Sequence, residues 1–158
     1  MSLTNTQKQT LKALALADPV AVQLMDGTKD VELADWFNVD STKVVFKTSV
    51  PLATVGKSFE ATGLSSMTSA NNDRIVSFAL WNPQGVDPTR ADHRQFFDDA
   101  FSPASGATTR ARLYALWRRF ATRAEAALAT GTGTDASPGA LVFEGKLNYA
   151  EASEIRSA

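Results

Sequence analysis

Cysteine is absent from this 158-residue chain, and histidine occurs only once, as His93. The absence of cysteine excludes disulfide bonds, thiolate metal ligands and a cysteine nucleophile, and it leaves the redox compartment open. No Gly-x-Ser-x-Gly segment accompanies the many serines, so the sequence gives no support for a serine hydrolase triad. The sequence therefore offers neither a cysteine nucleophile nor the motif of a serine hydrolase.

An excess of charge and a long apolar run are also lacking. Sixteen Lys and Arg face seventeen Asp and Glu, which gives a formal net charge of −1 and no general attraction to nucleic acid or an anionic membrane. No segment approaches the roughly eighteen apolar residues of a membrane span, and the N-terminus is neither basic nor apolar. We expect a soluble protein made in the cytoplasm, with no membrane partner.

Two segments invite a chemical interpretation. His93 lies near Asp87, Asp92, Asp98 and Asp99, as a metal or acid–base site would require, but nearby arginines favour a solvated amphipathic helix face. The segment "GTGTDASPG" has the glycines of a phosphate-binding loop but neither its lysine nor the helix that follows it. We therefore predict no catalytic residue, no metal ligand and no cofactor.

The apolar periodicity predicts a mainly α-helical fold. Thr4 with Gln7 forms a capping-box pattern before a helix that Asp18-Pro19 ends. Apolar residues at helical spacing predict one long helix over residues 107–129. The helix "RIVSFALW" and the three tryptophans, Trp36, Trp81 and Trp117, are expected to supply the core.

The predicted architecture is a helical bundle with a short strand-like arm near the C-terminus. Residues 1–130 form the helical body, with one short strand predicted around residues 43–48; residues 131–139 form a Gly/Thr/Ser/Pro spacer, and residues 140–158 form the arm. Leu141, Phe143, Leu147 and Tyr149 alternate with polar residues, which is typical of a strand. This strand pairs either with "VVFKTS" in its own chain or with a neighbouring subunit. The second alternative predicts that deletion of residues 138–158 leaves a folded body.

Three arginines are candidate interface residues. In a continuous helix, Arg112, Arg119 and Arg123 share one face, about 100° from the apolar stripe. Such a face contacts phosphates or an acidic protein surface, or it is an ordinary solvated face with ion pairs, which we favour.

Parts of the chain resemble small structural proteins of tailed-bacteriophage particles. The resemblance is carried by "VVFKTSV", "VDPTRADHRQFFDDAFS" and, most densely, "RRFATRAEAALATGTGTDASPGALVFEGKLNYAEA". Some members of this family are neck proteins, the head–tail connectors or adaptors that join the portal to the tail. The resemblance implies helical subunits that assemble as homo-oligomeric rings, commonly dodecamers, and that dock terminal arms on neighbouring components.

On this resemblance we expect a non-enzymatic connector at the head–tail junction of the virion. Its partners would be other copies of itself and the portal, tail and neck proteins, with DNA only as passing cargo. The three arginines would then face a subunit interface or an acidic portal rim. Alternatives are a tail-completion, tail-tube or capsid-decorating protein, or a small nucleic-acid-binding regulatory module.

Overall fold

The computed structural model describes residues 3–158 and confirms a mainly helical chain. These residues are 56% helix, with nine α-helices and one two-stranded antiparallel sheet. In chain order the helices of the first half are α1 (Asn5–Ala17), α2 (Asp30–Asn38), α3 (Leu52–Gly56), α4 (Ala61–Ser65) and α5 (Ser69–Trp81). Those of the second half are α6 (Ala91–Ala100), α7 (Ala107–Trp117), α8 (Arg123–Leu128) and α9 (Tyr149–Ser157). The strands are β1 (Asp40–Phe46) and β2 (Arg118–Thr122), and short 3₁₀ turns span Ala21–Leu24 and Ala104–Gly106.

The chain divides into two compact units. Unit 1 joins Met1–Val45, described from Leu3 onward, to Phe120–Ala158, and unit 2 is Phe46–Arg119. Unit 1 is thus built from both ends of the chain. This division differs from the predicted body, spacer and arm. Within residues 3–158, no helix is long and apolar enough to span a bilayer.

Unit 1 has a core of aliphatic and aromatic side chains from its four helices and its C-terminal segment. Helix α1 begins with the predicted capping box, in which the Thr4 side chain accepts from the Gln7 N–H and the Gln7 side chain accepts from the Thr4 N–H. The core then collects Leu11 from α1, Leu33 and Phe37 from α2, and Ile155 from α9. These residues are fully buried because α1 and α2 both pack against α9.

The predicted long helix over residues 107–129 is wrong. Helix α7 ends at Trp117, β2 follows, and α8 begins at Arg123. A second capping box begins α8: the Thr122 side chain accepts from the Glu125 N–H, and the Glu125 carboxylate accepts from the Thr122 N–H. Because the capping residue needs an extended backbone, Thr122 ends β2 at the point where α8 starts.

The short strand predicted around residues 43–48 exists as β1, with different bounds and an unexpected partner. It forms the two-stranded sheet with β2, whereas its predicted partner, the segment Leu141–Tyr149, forms no strand. On β1 the Val44 N–H donates to the Gly133 carbonyl at 2.7 Å, and the Gly139 N–H donates to the Val44 carbonyl at 2.8 Å. The glycine-rich residues 131–139, predicted to be a spacer, therefore lie along β1 and satisfy its backbone groups.

The strand predicted over Leu141–Tyr149 is not confirmed. Residues 141–148 form no strand; Ala140 makes an isolated bridge to Thr130, and α9 begins at Tyr149. Asn148 caps α9 and completes a capping box with Glu151. The alternating pattern arises because Phe143 and Leu147 enter the core of unit 1 from an irregular segment, without any ladder of backbone hydrogen bonds.

Unit 2 has an aromatic core. Phe97 of α6, Phe101 directly after α6 and Trp117 of α7 are buried, and the rings of Phe59 and Phe78 pack against the two phenylalanines. Helix α5 lies on the surface of this core and has no buried residue along its whole length. Phe78 and Ile75 face the core only as half-buried side chains.

Candidate functional site

The three arginines predicted to share a helix face do not lie on one helix. Arg112 is on α7 and forms an ion pair with Glu60 at 2.5 Å. Arg119 lies in β2, and Arg123 is the first residue of α8. The predicted face depended on a continuous helix, which the strand β2 interrupts. Of the three, only Arg123 belongs to unit 1.

The four apolar residues predicted to form an interface strand have different environments. Phe143 and Leu147 are buried, Leu141 is half-buried, and Tyr149 is 66% exposed at the start of α9. The Asn38 side chain fixes this segment, because its amide accepts from the Leu147 N–H and donates to the Leu147 carbonyl, both at 2.8 Å. Phe143 and Leu147 are thus core residues rather than contacts for another subunit.

A pocket in unit 1 contains the most notable arrangement of polar and aromatic groups. The Arg123 guanidinium lies over the Trp36 ring, 4.6 Å from its centroid, and donates from Nη1 to the Trp36 carbonyl at 3.4 Å. The pocket has a volume of about 470 Å³ and is lined by Leu14, Ala17, Asp18, Trp36, Ser41, Arg123, Ala126 and Ala127. We call it the Trp36–Arg123 pocket.

The polar groups of this pocket are held by local backbone geometry. Asp18, the residue after α1, accepts from the N–H groups of Val20 and Ala21 at 2.9 and 3.0 Å through Oδ1. These hydrogen bonds, and to a smaller extent the positive charge of Arg123, lower the pKa of the Asp18 carboxyl. The pocket therefore carries one guanidinium and one ionised carboxylate beside an apolar wall.

His93 has a structural role in unit 2. It is buried, its Nδ1 accepts from the Asp87 N–H at 3.1 Å, and its ring packs edge-on against Phe78. Asp92 points instead to Arg90, whose hydrogen bond lowers the pKa of the Asp92 carboxyl to about 2. Within residues 3–158, no group of three or more His, Asp and Glu is arranged to hold a metal ion.

Three large apolar residues at the end of α5 form an exposed surface. Leu80 is 76% exposed and Trp81 84% exposed, while Val76 lies one helical turn before Leu80 and is also exposed. We call Val76, Leu80 and Trp81 the α5 ridge. The sequence prediction that Trp81 belongs to the core is wrong, whereas Trp36 and Trp117 are buried.

Sequence reasoning missed both the pocket and the ridge. Trp36 and Arg123 are 87 positions apart, so no local spacing joins them. The Thr122-x-x-Glu125 pattern was the one available signal, because it places the start of a helix at Arg123. For α5, apolar periodicity identifies an apolar helix but cannot identify which of its faces the core covers.

No protein-family model, curated protein or solved structure matches this chain.

Proposed function

We propose that this protein is a non-enzymatic structural component of a tailed-bacteriophage particle, and that it acts as a head–tail connector. In this role it is one subunit of an adaptor ring between the portal and the tail. The observation that carries the proposal is the α5 ridge, because a subunit that assembles with copies of itself needs an apolar surface that its own core does not use.

The burial of α5 supports an interface at this helix. Each large apolar side chain left in water forgoes about 1.5 to 3 kcal/mol of burial free energy, and tryptophan is enriched at the centres of protein interfaces. Val76 and Leu80 are spaced by four residues on one helix face, and Trp81 follows them at the end of α5. Covering the ridge with a neighbouring subunit recovers that free energy.

The packing of the C-terminus limits which segment can dock on a neighbour. Residues 140–158 contribute Phe143, Leu147 and Ile155 to the core of unit 1. We therefore do not assign the docking extension of the connector to these residues. The α5 ridge takes that role in our proposal, and the helical elements form the body of the ring subunit.

The oligomeric state of the purified protein tests the proposal directly. We expect sedimentation velocity to show a concentration-dependent oligomer for the natural sequence and a monomer for Leu80→Glu/Trp81→Glu. Val31→Glu is the control, since Val31 is 59% exposed in the first turn of α2, where an acidic residue is favourable. A natural chain that stays monomeric at every concentration contradicts an interface at the ridge.

Immunogold labelling then tests the position in the particle. Antibodies against this protein are expected to label the junction between head and tail of purified phage particles. Label along the tail or over the capsid keeps the structural class but rejects the connector, and no label on any particle rejects the structural class as well.

A further inference from the structure

The Trp36–Arg123 pocket has no role in the function proposed above. Most N–H donors of the Arg123 guanidinium have no acceptor within the described residues 3–158. The only side-chain hydrogen bond of Arg123 among these residues is the 3.4 Å contact from Nη1 to the Trp36 carbonyl, and Arg123 forms no ion pair with them. A guanidinium has five N–H donors in a planar fork. Most of this fork is therefore open to an acceptor from outside the protein.

The geometry of Arg123 holds the fork in place. Its backbone N–H donates to the Val39 carbonyl at 2.9 Å, and its guanidinium lies against the buried Trp36 ring. Contact with an aromatic face restricts the guanidinium, so a bound acceptor orders fewer rotatable bonds than it would at a free surface arginine. A carboxylate matches the fork with two parallel hydrogen bonds.

Apart from Arg123, Asp18 and Ser41, the lining of the pocket is apolar. Leu14 and Ala17 of α1 face Ala126 and Ala127 of α8 across the pocket, and small alanine side chains leave room between the helices. The volume of about 470 Å³ is within the range of small-ligand pockets. A ligand that fills this pocket therefore carries an apolar body as well as its anionic group.

Asp18 limits the charge of the ligand. Its carboxylate lines the same pocket and is ionised at neutral pH, so a second negative charge on the ligand meets electrostatic repulsion. A dianionic phosphate monoester is disfavoured relative to a singly charged carboxylate. We propose that the Trp36–Arg123 pocket binds an apolar group that carries one carboxylate, with the carboxylate on Arg123 and the apolar body against Trp36 and the alanines.

Nuclear magnetic resonance of the ¹⁵N-labelled full chain tests this proposal. The three tryptophans give three indole N–H signals, and Trp36→Phe identifies the one from the pocket. We expect 3-phenylpropanoate to shift the Trp36 signal saturably. The neutral amide of the same acid and 2-phenylethyl phosphate are each expected to bind at least about tenfold more weakly, which corresponds to about 1.4 kcal/mol.

Substitution of Arg123 tests whether the pocket recognises the charge of the ligand or only its shape. In Arg123→Gln we expect the preference for the acid over its amide to disappear. Arg74→Gln is the matched control, because Arg74 also lies over an aromatic ring, that of Phe96, in unit 2. This control is expected to keep the preference. In both variants, backbone N–H signals of unit 1 and unit 2 that keep their dispersion verify that the fold is retained.

The source of the carboxylate is distinguished by a second probe, the blocked peptide acetyl-Asp-Phe-amide. A saturable Trp36 shift with this peptide assigns the pocket to an acidic segment of a protein partner, and a shift with 3-phenylpropanoate alone assigns it to a small free acid. Either result supports the proposal. The proposal is overturned if no probe shifts the Trp36 signal, if acid and amide bind equally, or if Arg123→Gln keeps the preference.

Discussion

The Glu125 carboxylate accepts a hydrogen bond from the backbone N–H of Gly145 at 3.0 Å, across twenty positions of sequence. The same buried carboxylate accepts from the Thr122 N–H at 2.9 Å, so it both begins α8 and holds the segment that leads to α9. A side chain that looks like an ordinary helix cap in the sequence thus attaches the C-terminal residues to unit 1.

Replacing Glu125 with glutamine should lower the free energy of unfolding by about 1 to 3 kcal/mol. The amide can accept only one of the two backbone N–H groups well, and its own NH₂ then faces the other. Urea denaturation measures the change. Glu154→Gln is the control, because Glu154 is 54% exposed and its ion pair with Lys8 should contribute less than about 1 kcal/mol. Equal losses in the two variants would contradict the special role of Glu125.

Truncating Ile155 to alanine should cost about 2 to 5 kcal/mol, because its side chain is fully buried between helices. Tyr149→Ala, in the same helix but 66% exposed, should cost much less. Denaturant unfolding of the two variants compares them. For the same reason, we now expect deletion of residues 138–158 to destabilise unit 1 rather than to leave a folded body. A stable truncated chain would show that the C-terminal residues are not required for the core.

Substituting alanine for Gly133 should destabilise the protein by about 1 to 3 kcal/mol. Gly133 has φ of +68°, and an added Cβ would collide with the Lys43 side chain. Lys43 cannot move freely, since its Nζ donates to the Ala126 and Ala129 carbonyls at 3.2 and 2.8 Å. Gly56→Ala is the control: a Cβ there meets no atom within 4 Å, and alanine favours the helix. Its melting temperature should be unchanged or higher, and a similar fall in both variants would contradict the argument.

Tyr114 should titrate above the usual tyrosine pKa of about 10. Burial raises its pKa most, and the hydrogen bond from its hydroxyl to Asp98 Oδ2 at 2.8 Å raises it further. Because the pKa is higher in the folded state, the associated stability is complete below pH of about 10 and is lost as the pH rises through the folded value. Ultraviolet titration of Tyr149→Phe, which keeps only Tyr114, measures the midpoint, and Tyr114→Phe should remove this part of the alkaline loss of stability. A midpoint of about 10 in the folded protein would contradict the expected direction.

Local patterns predicted local structure well. The Thr4 and Gln7 pair identified the start of α1, and Asp18-Pro19 identified its end. The pattern at Thr122 and Glu125 has the same form, and it marks a real helix start inside a region whose apolar periodicity predicted one continuous helix. The sequence thus contains both a capping pattern and a continuous apolar periodicity in this region. The structure follows the capping pattern, because residues 118–122 pair with β1 as the strand β2 instead of continuing α7.

The burial of individual side chains was predicted less well than the helix caps. This affected the candidate site residues most. Trp81 was expected in the core and is exposed, whereas the glycine-rich residues expected to be a spacer lie along β1. The three arginines were grouped by a helix that does not exist. Arg123 was predicted as an interface residue, which stays a prediction; the structure places it beside Trp36, which comes from the opposite end of the chain.

The sequence by itself determined the absence of cysteine chemistry, which depends on composition alone. It also determined the mainly helical character and the helix caps, because these depend on residues within one or two turns of each other. Only the tertiary structure decided the pairing of β1 with β2, the burial of Phe143 and Leu147, and the juxtaposition of Trp36 with Arg123. These features depend on which distant segments meet, and an alternating or periodic apolar pattern specifies that a side chain be covered without specifying what covers it.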